Sequence, residues 1–320
     1  MVAPAGPFPA AKLLFDKGQF AEAQHRLTEF VLTEPQHAEA WSLLGVIEFQ
    51  KSNFADAVKL FRRAVRIDGQ SAKYLTNLGS ALNAQGDLRE AADCFEQAIA
   101  IDPHCGEART YLGILRLQQG RIDEAESALQ EALIEAPKSA LARLNLGNLF
   151  RERGQLDSAA EQYEFALSID PDYAEALLNL GEVRAEQGRF ADAVRFLRRA
   201  TLLRPRVAAI HLGLANALRQ LGDYAQAVAS YQRTLAFQAS SIDGWMGLGL
   251  SNADLENWGD AISSFQKAVA LQPGLAEAHF QLSQAFQRSG QATEAARHLA
   301  VANMLEPRRR STSPRGHEHE

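Results

Sequence analysis

The chain has 320 residues, 46% of them hydrophobic, with 22 Gly, 11 Pro and a formal net charge of −6. That apolar content excludes a wholly disordered chain, and the acidic balance argues against nucleic-acid binding, which needs basic side chains to displace counterions from phosphates. Cys94 and Cys105 are too few for a disulfide framework, and no apolar run reaches the roughly 20 residues that span a bilayer, so a cytoplasmic protein without membrane insertion is expected.

The N-terminal stretch MVAPAGPFP has no basic start and no continuous apolar run, so it does not read as a secretory signal. Residues 1–9, with Pro4, Pro7 and Pro9, are expected to form a proline-containing lead, the first helix opening near Ala10. From there Pro35, Pro103, Pro137, Pro171, Pro205, Pro273 and Pro307 fall on a grid whose step is 34 or its multiples, and Gly69 and Ala239 occupy the two missing points. Repeats counted from three residues past each point begin at 4, 38, 72, 106, 140, 174, 208, 242 and 276, so the array occupies 10–309 and leaves 310–320 as a polar, disordered tail.

Each repeat predicts two helices. Positions 4, 7, 8 and 11 make one helical face, as in Trp41, Leu44, Gly45 and Glu48, and positions 20, 24 and 27 make another, as in Ala57, Phe61 and Ala64. Between them stands a glycine, at 18, 86, 120, 154, 188, 222 and 290, suited to a left-handed helix cap. Position 8 stays small (Gly45, Gly79, Gly113, Gly147, Gly181, Ala215, Gly249, Ser283), and position 20 is alanine in every repeat from Ala23 to Ala295. Both predict close helix crossings that a bulky side chain would overpack.

This pattern resembles the tetratricopeptide repeat family, whose aromatic/Leu/Gly and Ala/Phe/Ala/Pro landmarks it matches over most of the chain. The resemblance implies an all-α fold, a right-handed superhelical α-solenoid of antiparallel helix pairs, with the first helix of each pair lining a concave groove that takes extended peptides or partner helices. Arg109, Arg143, His211 and His279 depart from the family's usual aromatic at position 4.

No catalytic constellation emerges. Gly244, Gly247 and Gly249 in GWMGLG follow no strand and lack dinucleotide-binding spacing, and no phosphate-loop, zinc-protease or nucleophile-elbow string occurs. His211 and His279 share a packing position, while His317 and His319 lie in the polar tail. Neither enzyme activity, metal nor cofactor is expected.

The groove positions carry the candidate chemistry. Asn77, Asn145 and Asn179 at position 6, with Asn148 and Asn216 at position 9, form an amide row that either pairs with an extended partner backbone or bonds locally between helices. The row is similar to that in the repeat arm of protein O-linked N-acetylglucosamine transferases, interrupted here by Tyr111, Gly213 and Gly247. Arg151 and Arg219 at position 12 offer guanidinium forks for a carboxylate. Leu144, Leu178, Leu212, Met246 and Phe280 at position 5 make an apolar ladder, read either as helix packing or as a peptide anchor.

Leu299, Met304 and Leu305 close the last repeat, and the polar, proline-broken sequence after them does not read as a capping helix, so self-association through this end is expected. The sequence thus predicts a non-enzymatic scaffold, adaptor or chaperone-like assembly factor that binds other proteins in its groove. The alternative is a regulatory or substrate-recruiting arm of an enzyme system such as a glycosyltransferase.

Overall fold

The computed structural model describes residues 6–305, which divide into two compact blocks, one through Asp170 and one from Pro171. The first block holds α1 (Pro7–Asp16), α2 (Phe20–Thr33), α3 (Ala38–Gln50), α4 (Phe54–Ile67), α5 (Ala72–Gln85), α6 (Leu88–Ile101), α7 (Gly106–Gln118), α8 (Ile122–Glu135), α9 (Ala140–Glu152) and α10 (Leu156–Ile169). The second holds α11 (Ala174–Glu186), α12 (Phe190–Leu203), α13 (Ala208–Gln220), α14 (Tyr224–Phe237), α15 (Ile242–Asp254), α16 (Trp258–Leu271), α17 (Ala276–Arg288) and α18 (Ala292–Leu305). Within each block successive helices pack in pairs, and each pair stacks on the next, which is the α-solenoid arrangement. The described residues contain no strand, and no described helix is long and apolar enough to cross a membrane. The tail 310–320, with His317 and His319, lies outside the described residues, as does the lead's Pro4.

Turn chemistry sets the period. The seven grid glycines all adopt positive φ, from 72° at Gly120 to 96° at Gly86. The residue after each reaches back across the turn, as Asp87 N–H donates to the Leu82 carbonyl at 2.9 Å, so the last carbonyls of the first helix are satisfied. Ser52 (φ 63°) and Glu256 (φ 61°) take the same left-handed geometry where glycine is missing, with Asn53 donating to Glu48 and Asn257 to Asn252 in the same pattern. The bonding network of the turn thus holds a conformation that these two side chains disfavour.

The first helix opens at Pro7 rather than near Ala10. Pro7 stands in the first turn, where amide hydrogens have no helical acceptor anyway, so its missing N–H breaks no bond and its fixed φ suits the start. The first i to i−4 bond runs from Ala10 N–H to the Gly6 carbonyl at 3.1 Å.

Packing follows the small positions. The alanines at position 20 are fully buried in the first eight repeats, and Ala295 is 7% exposed. A Cβ built on Gly79 would lie 2.6 Å from the Phe95 ring, and one on Gly147 would lie 2.5 Å from the Tyr163 ring. Position 8 is therefore small because the side chain at position 24 of the same repeat packs against the backbone there, a ring in these two repeats and Leu129 or Leu197 against Gly113 and Gly181. The cores run on from pair to pair: Phe61, Leu82, Phe95 and Leu112 join α4 through α7, and Leu197, Leu218, Tyr231 and Leu248 join α12 through α15.

The replacements at position 4 share one contact. Trp41 Nε1 donates to the Pro35 carbonyl and Trp245 Nε1 to the Ala239 carbonyl, each at 2.9 Å. His211 Nε2 reaches the Pro205 carbonyl at 2.9 Å, His279 Nε2 reaches that of Pro273 at 3.1 Å, and Arg109 donates to that of Pro103. In these five repeats the position supplies a planar group with a nitrogen directed at the carbonyl six residues back, which Leu75 and Leu177 lack. Arg143 departs from this, donating to Gln162 Oε1 at 2.8 Å while its guanidinium lies 4.7 Å from the Phe165 ring centre.

Candidate protein-interaction surface

In the second to fourth repeats the position-5 floor is made of small hydroxyl side chains, Ser42, Thr76 and Thr110, each at most 2% exposed. Thr76 and Thr110 donate to carbonyls one turn back in their own helices, at 2.8 Å. Asn77 Nδ2 donates to Ser42 Oγ at 3.3 Å, joining neighbouring repeats. Tyr111, which interrupts the amide row, stacks on Phe95 with ring centres 5.6 Å apart.

The fifth repeat shows how the remaining candidates of that block divide. Leu144 is only 2% exposed, so it belongs to the core and not to an open ladder. Asn145 donates to the Leu141 carbonyl of its own helix at 2.8 Å. Asn148 Oδ1 accepts from the Tyr163 hydroxyl at 2.8 Å, and Arg151 is half-buried beyond it.

The second block repeats that tyrosine–asparagine pair, with the Tyr231 hydroxyl donating to Asn216 Oδ1 at 2.6 Å. Burial pushes the Tyr231 phenol up to about 12, so it remains a neutral donor. Asn148 and Asn216 therefore use their amide oxygens inside their own repeats, because a buried phenol hydroxyl needs an acceptor. The sequence signal was available: of the nine repeats, those with Asn at position 9 are the ones with Tyr at position 24. Arg219 is not an open fork, since its Nε lies 3.4 Å from Asp254 Oδ2. Asn179 is half-buried in α11.

The apolar ladder does open in this block. Leu178, Leu212 and Met246 are half-buried and Phe280 is 40% exposed. A cavity of about 220 Å³ lies beside Leu178, walled by Glu175, Val207 and Ile210. Another of about 540 Å³ lies beside Met246, walled by Asp243, Leu275 and Glu277. The two occupy the same register two repeats apart, each between the first turns of consecutive first helices.

Reactive chemistry is sparse on this frame. Burial and the nearby Glu90 and Asp93 push the Cys94 thiol up to about 11, which makes it a poor nucleophile. Among the described residues no group of three His, Cys, Asp or Glu side chains is placed to hold a metal ion. The GWMGLG glycines are packing devices: a Cβ on Gly244 would meet Leu235 at 3.0 Å, one on Gly247 would meet Tyr231 at 2.2 Å, and one on Gly249 would meet Phe265 at 2.5 Å.

One titratable pair is built into the last repeat. His279 Nε2 faces the Pro273 carbonyl, which can only accept, so its Nδ1 is the acceptor for His298 Nδ1–H, 3.0 Å away. Burial, then His279 and Arg297, lower the His298 pKa from 6.5. The folded pKa lies below the unfolded one, so the pair's contribution is present above 6.5 and is lost as pH falls below it. The thermal midpoint of the second block is therefore expected to fall between about pH 7.5 and about pH 5, and by less in His298→Phe, as scanning calorimetry at both pH values would show.

Tetratricopeptide repeat profiles match residues 8–72, 76–140 and 243–304, with a second matching 172–240 and a TPR repeat profile matching 147–188. None of the curated proteins matches the chain. Among solved structures, MamA protein is 25% identical over 52% of this chain and 91% of its own, with a TM-score of 0.50. The APC/C hetero-tetramer Cut9–Hcn1 gives 20% identity over 86% of this chain and 54% of the other, with a TM-score of 0.65. YrrB, described as a TPR protein with an unusual peptide-binding site, gives 21% identity, 57% and 94% coverage and a TM-score of 0.52. The last two share the fold, and the profile matches, which reach from the first helix pair to the last, make this chain a member of the tetratricopeptide repeat family.

Proposed function

We propose that this protein is a non-enzymatic scaffold of the cytoplasm that holds segments of partner proteins against the first helices of its repeats. The observation that carries this reading is the position-5 row of the second block, where Leu178, Leu212, Met246 and Phe280 stay partly exposed and Leu178 and Met246 border open cavities. Large side chains serving packing alone would be covered, as Leu144 is at the same position. In the related structure YrrB the same fold carries a peptide-binding site.

Affinity purification with mass spectrometry tests the reading on wild type, Leu178→Glu/Met246→Glu and the Asn145/Asn179 double-alanine variant. Loss of the wild-type partners from the first variant is expected, and from the second if the amide row also takes part. Undiminished recovery from both would overturn groove binding.

The reading extends to self-association through α18. Leu299 is 41% exposed, whereas its position-24 equivalents in the eight earlier repeats are at most 2% exposed. Light scattering across a concentration series tests it: a mass that rises with concentration supports association, and a constant monomer mass removes it.

A further inference from the structure

The groove between α15 and α17 carries charge of opposite sign at its two ends. On α15, Met246, Leu250 and Ala253 follow one another at i, i+4 and i+7 and make an apolar wall. On α17, Glu277, Gln281, Gln284 and Arg288 fall on one face and make a polar wall. A cavity of about 540 Å³ lies at the N-terminal end of the two helices, with Asp243 and Glu277 exposed at its rim. A second cavity of about 330 Å³ lies at the C-terminal end, lined by Leu250, Trp258, Gln284 and Arg288.

Helix dipoles favour both the carboxylates of a first turn and Arg288 in the last, but they do not fix which position of the last turn carries the base. Position 13 holds no other basic residue in any of the nine repeats; its equivalents in the four preceding repeats are Glu152, Glu186, Gln220 and Asp254. Asp254, which shares the cavity with Arg288, is paired with Arg219 at 3.4 Å. Arg288 has no hydrogen-bond or ion-pair partner among the described residues.

We propose that the α15–α17 groove takes a segment of a partner protein bearing two apolar side chains, with a Lys or Arg beside the one at the Asp243/Glu277 end and a carboxylate beside the one at the Arg288 end. The charged ends, Glu277 and Arg288, are eleven residues apart along α17, or about 16 Å, a distance that an extended segment crosses in about five residues. Gln284 stands between the ends and offers its amide to the segment's backbone, whatever its side chains, while Gln281 donates to Glu277 Oε1 at 2.7 Å. This assignment rests on groove binding and narrows it to one helix pair and one charge pattern.

The test is to pan a random decapeptide display library against the full protein and titrate the selected peptides by fluorescence polarisation. Selected peptides are expected to carry the apolar pair with a base beside one member and an acid beside the other. Arg288→Glu and Asp243→Lys/Glu277→Lys are each expected to weaken them about tenfold, and Arg288→Gln by less. Removing the peptide's acid should weaken binding to wild type but not to Arg288→Gln; circular dichroism melts identify any variant that fails to fold. Peptides held equally by all charge variants but lost on Leu178→Glu would overturn this site and keep the groove. An absence of any peptide sensitive to a groove substitution would overturn both. Concentration-dependent association abolished by Arg288→Glu would give the face to a second copy instead and likewise overturn the partner assignment.

Discussion

Gly247→Val is expected to lower the unfolding free energy of the second block by about 3 kcal/mol, near the upper end of what overpacking removes, with a matching fall in its urea midpoint. The Cβ alone would stand 2.2 Å from Tyr231 Cζ and 2.6 Å from its hydroxyl oxygen. The ring has nowhere to go. Tyr231 is 2% exposed, sits in the core shared by α12 to α15, and is tethered through its hydroxyl to Asn216 at 2.6 Å. Valine's better helix propensity returns only a few tenths of a kcal/mol. Tyr231→Ala alone should remove about 3–5 kcal/mol by leaving a cavity. In the double variant the isopropyl group introduced by Gly247→Val finds room in that cavity, so the pair should be more stable than the sum of the single losses by about 1 kcal/mol or more. Strict additivity would show that the two residues do not share this space.

The period made most of the fold legible because each turn repeats the same backbone demand. Seven glycines mark the left-handed caps, and Ser52 and Glu256 could be placed in the same geometry only by counting, since neither residue type suggests it. The start of α1 was not legible, because a proline inside the first turn and a proline before a helix look alike in sequence. The site was legible in part. Position 5 reads as one ladder from Leu144 to Phe280, yet Leu144 is closed and Phe280 open, and exposure depends on neighbours that the period does not specify. Position 9 by itself suggests groove amides at Asn148 and Asn216; beside Tyr163 and Tyr231 at position 24, the two amide oxygens are the acceptors that the buried hydroxyls need. Arg219 could not be placed without the structure, since its partner Asp254 is 35 residues away and in the next repeat.

The position-4 contact gives the second large expected effect. Trp245 packs beside the α12–α15 core and donates to the Ala239 carbonyl, so it both covers apolar surface and fixes the turn that enters its helix. Trp245→Ala should lower stability by about 3 kcal/mol, the low end for a large aromatic because the indole is only half-buried. Trp245→Phe keeps a ring but leaves the carbonyl without its donor and should lose about 1 kcal/mol. If the site selects a planar N–H donor rather than an aromatic ring, Trp245→His should retain more stability than Trp245→Ala, because His211 already makes the same contact with Pro205 one repeat earlier. Urea unfolding of the three variants separates these terms, and a histidine variant no more stable than the alanine one would mean that ring area alone sets the residue. The same logic explains how Trp, Arg and His interchange at a position where the family favours an aromatic: the backbone carbonyl six residues back is the constant feature, and each of the three reaches it with a nitrogen held in a flat group.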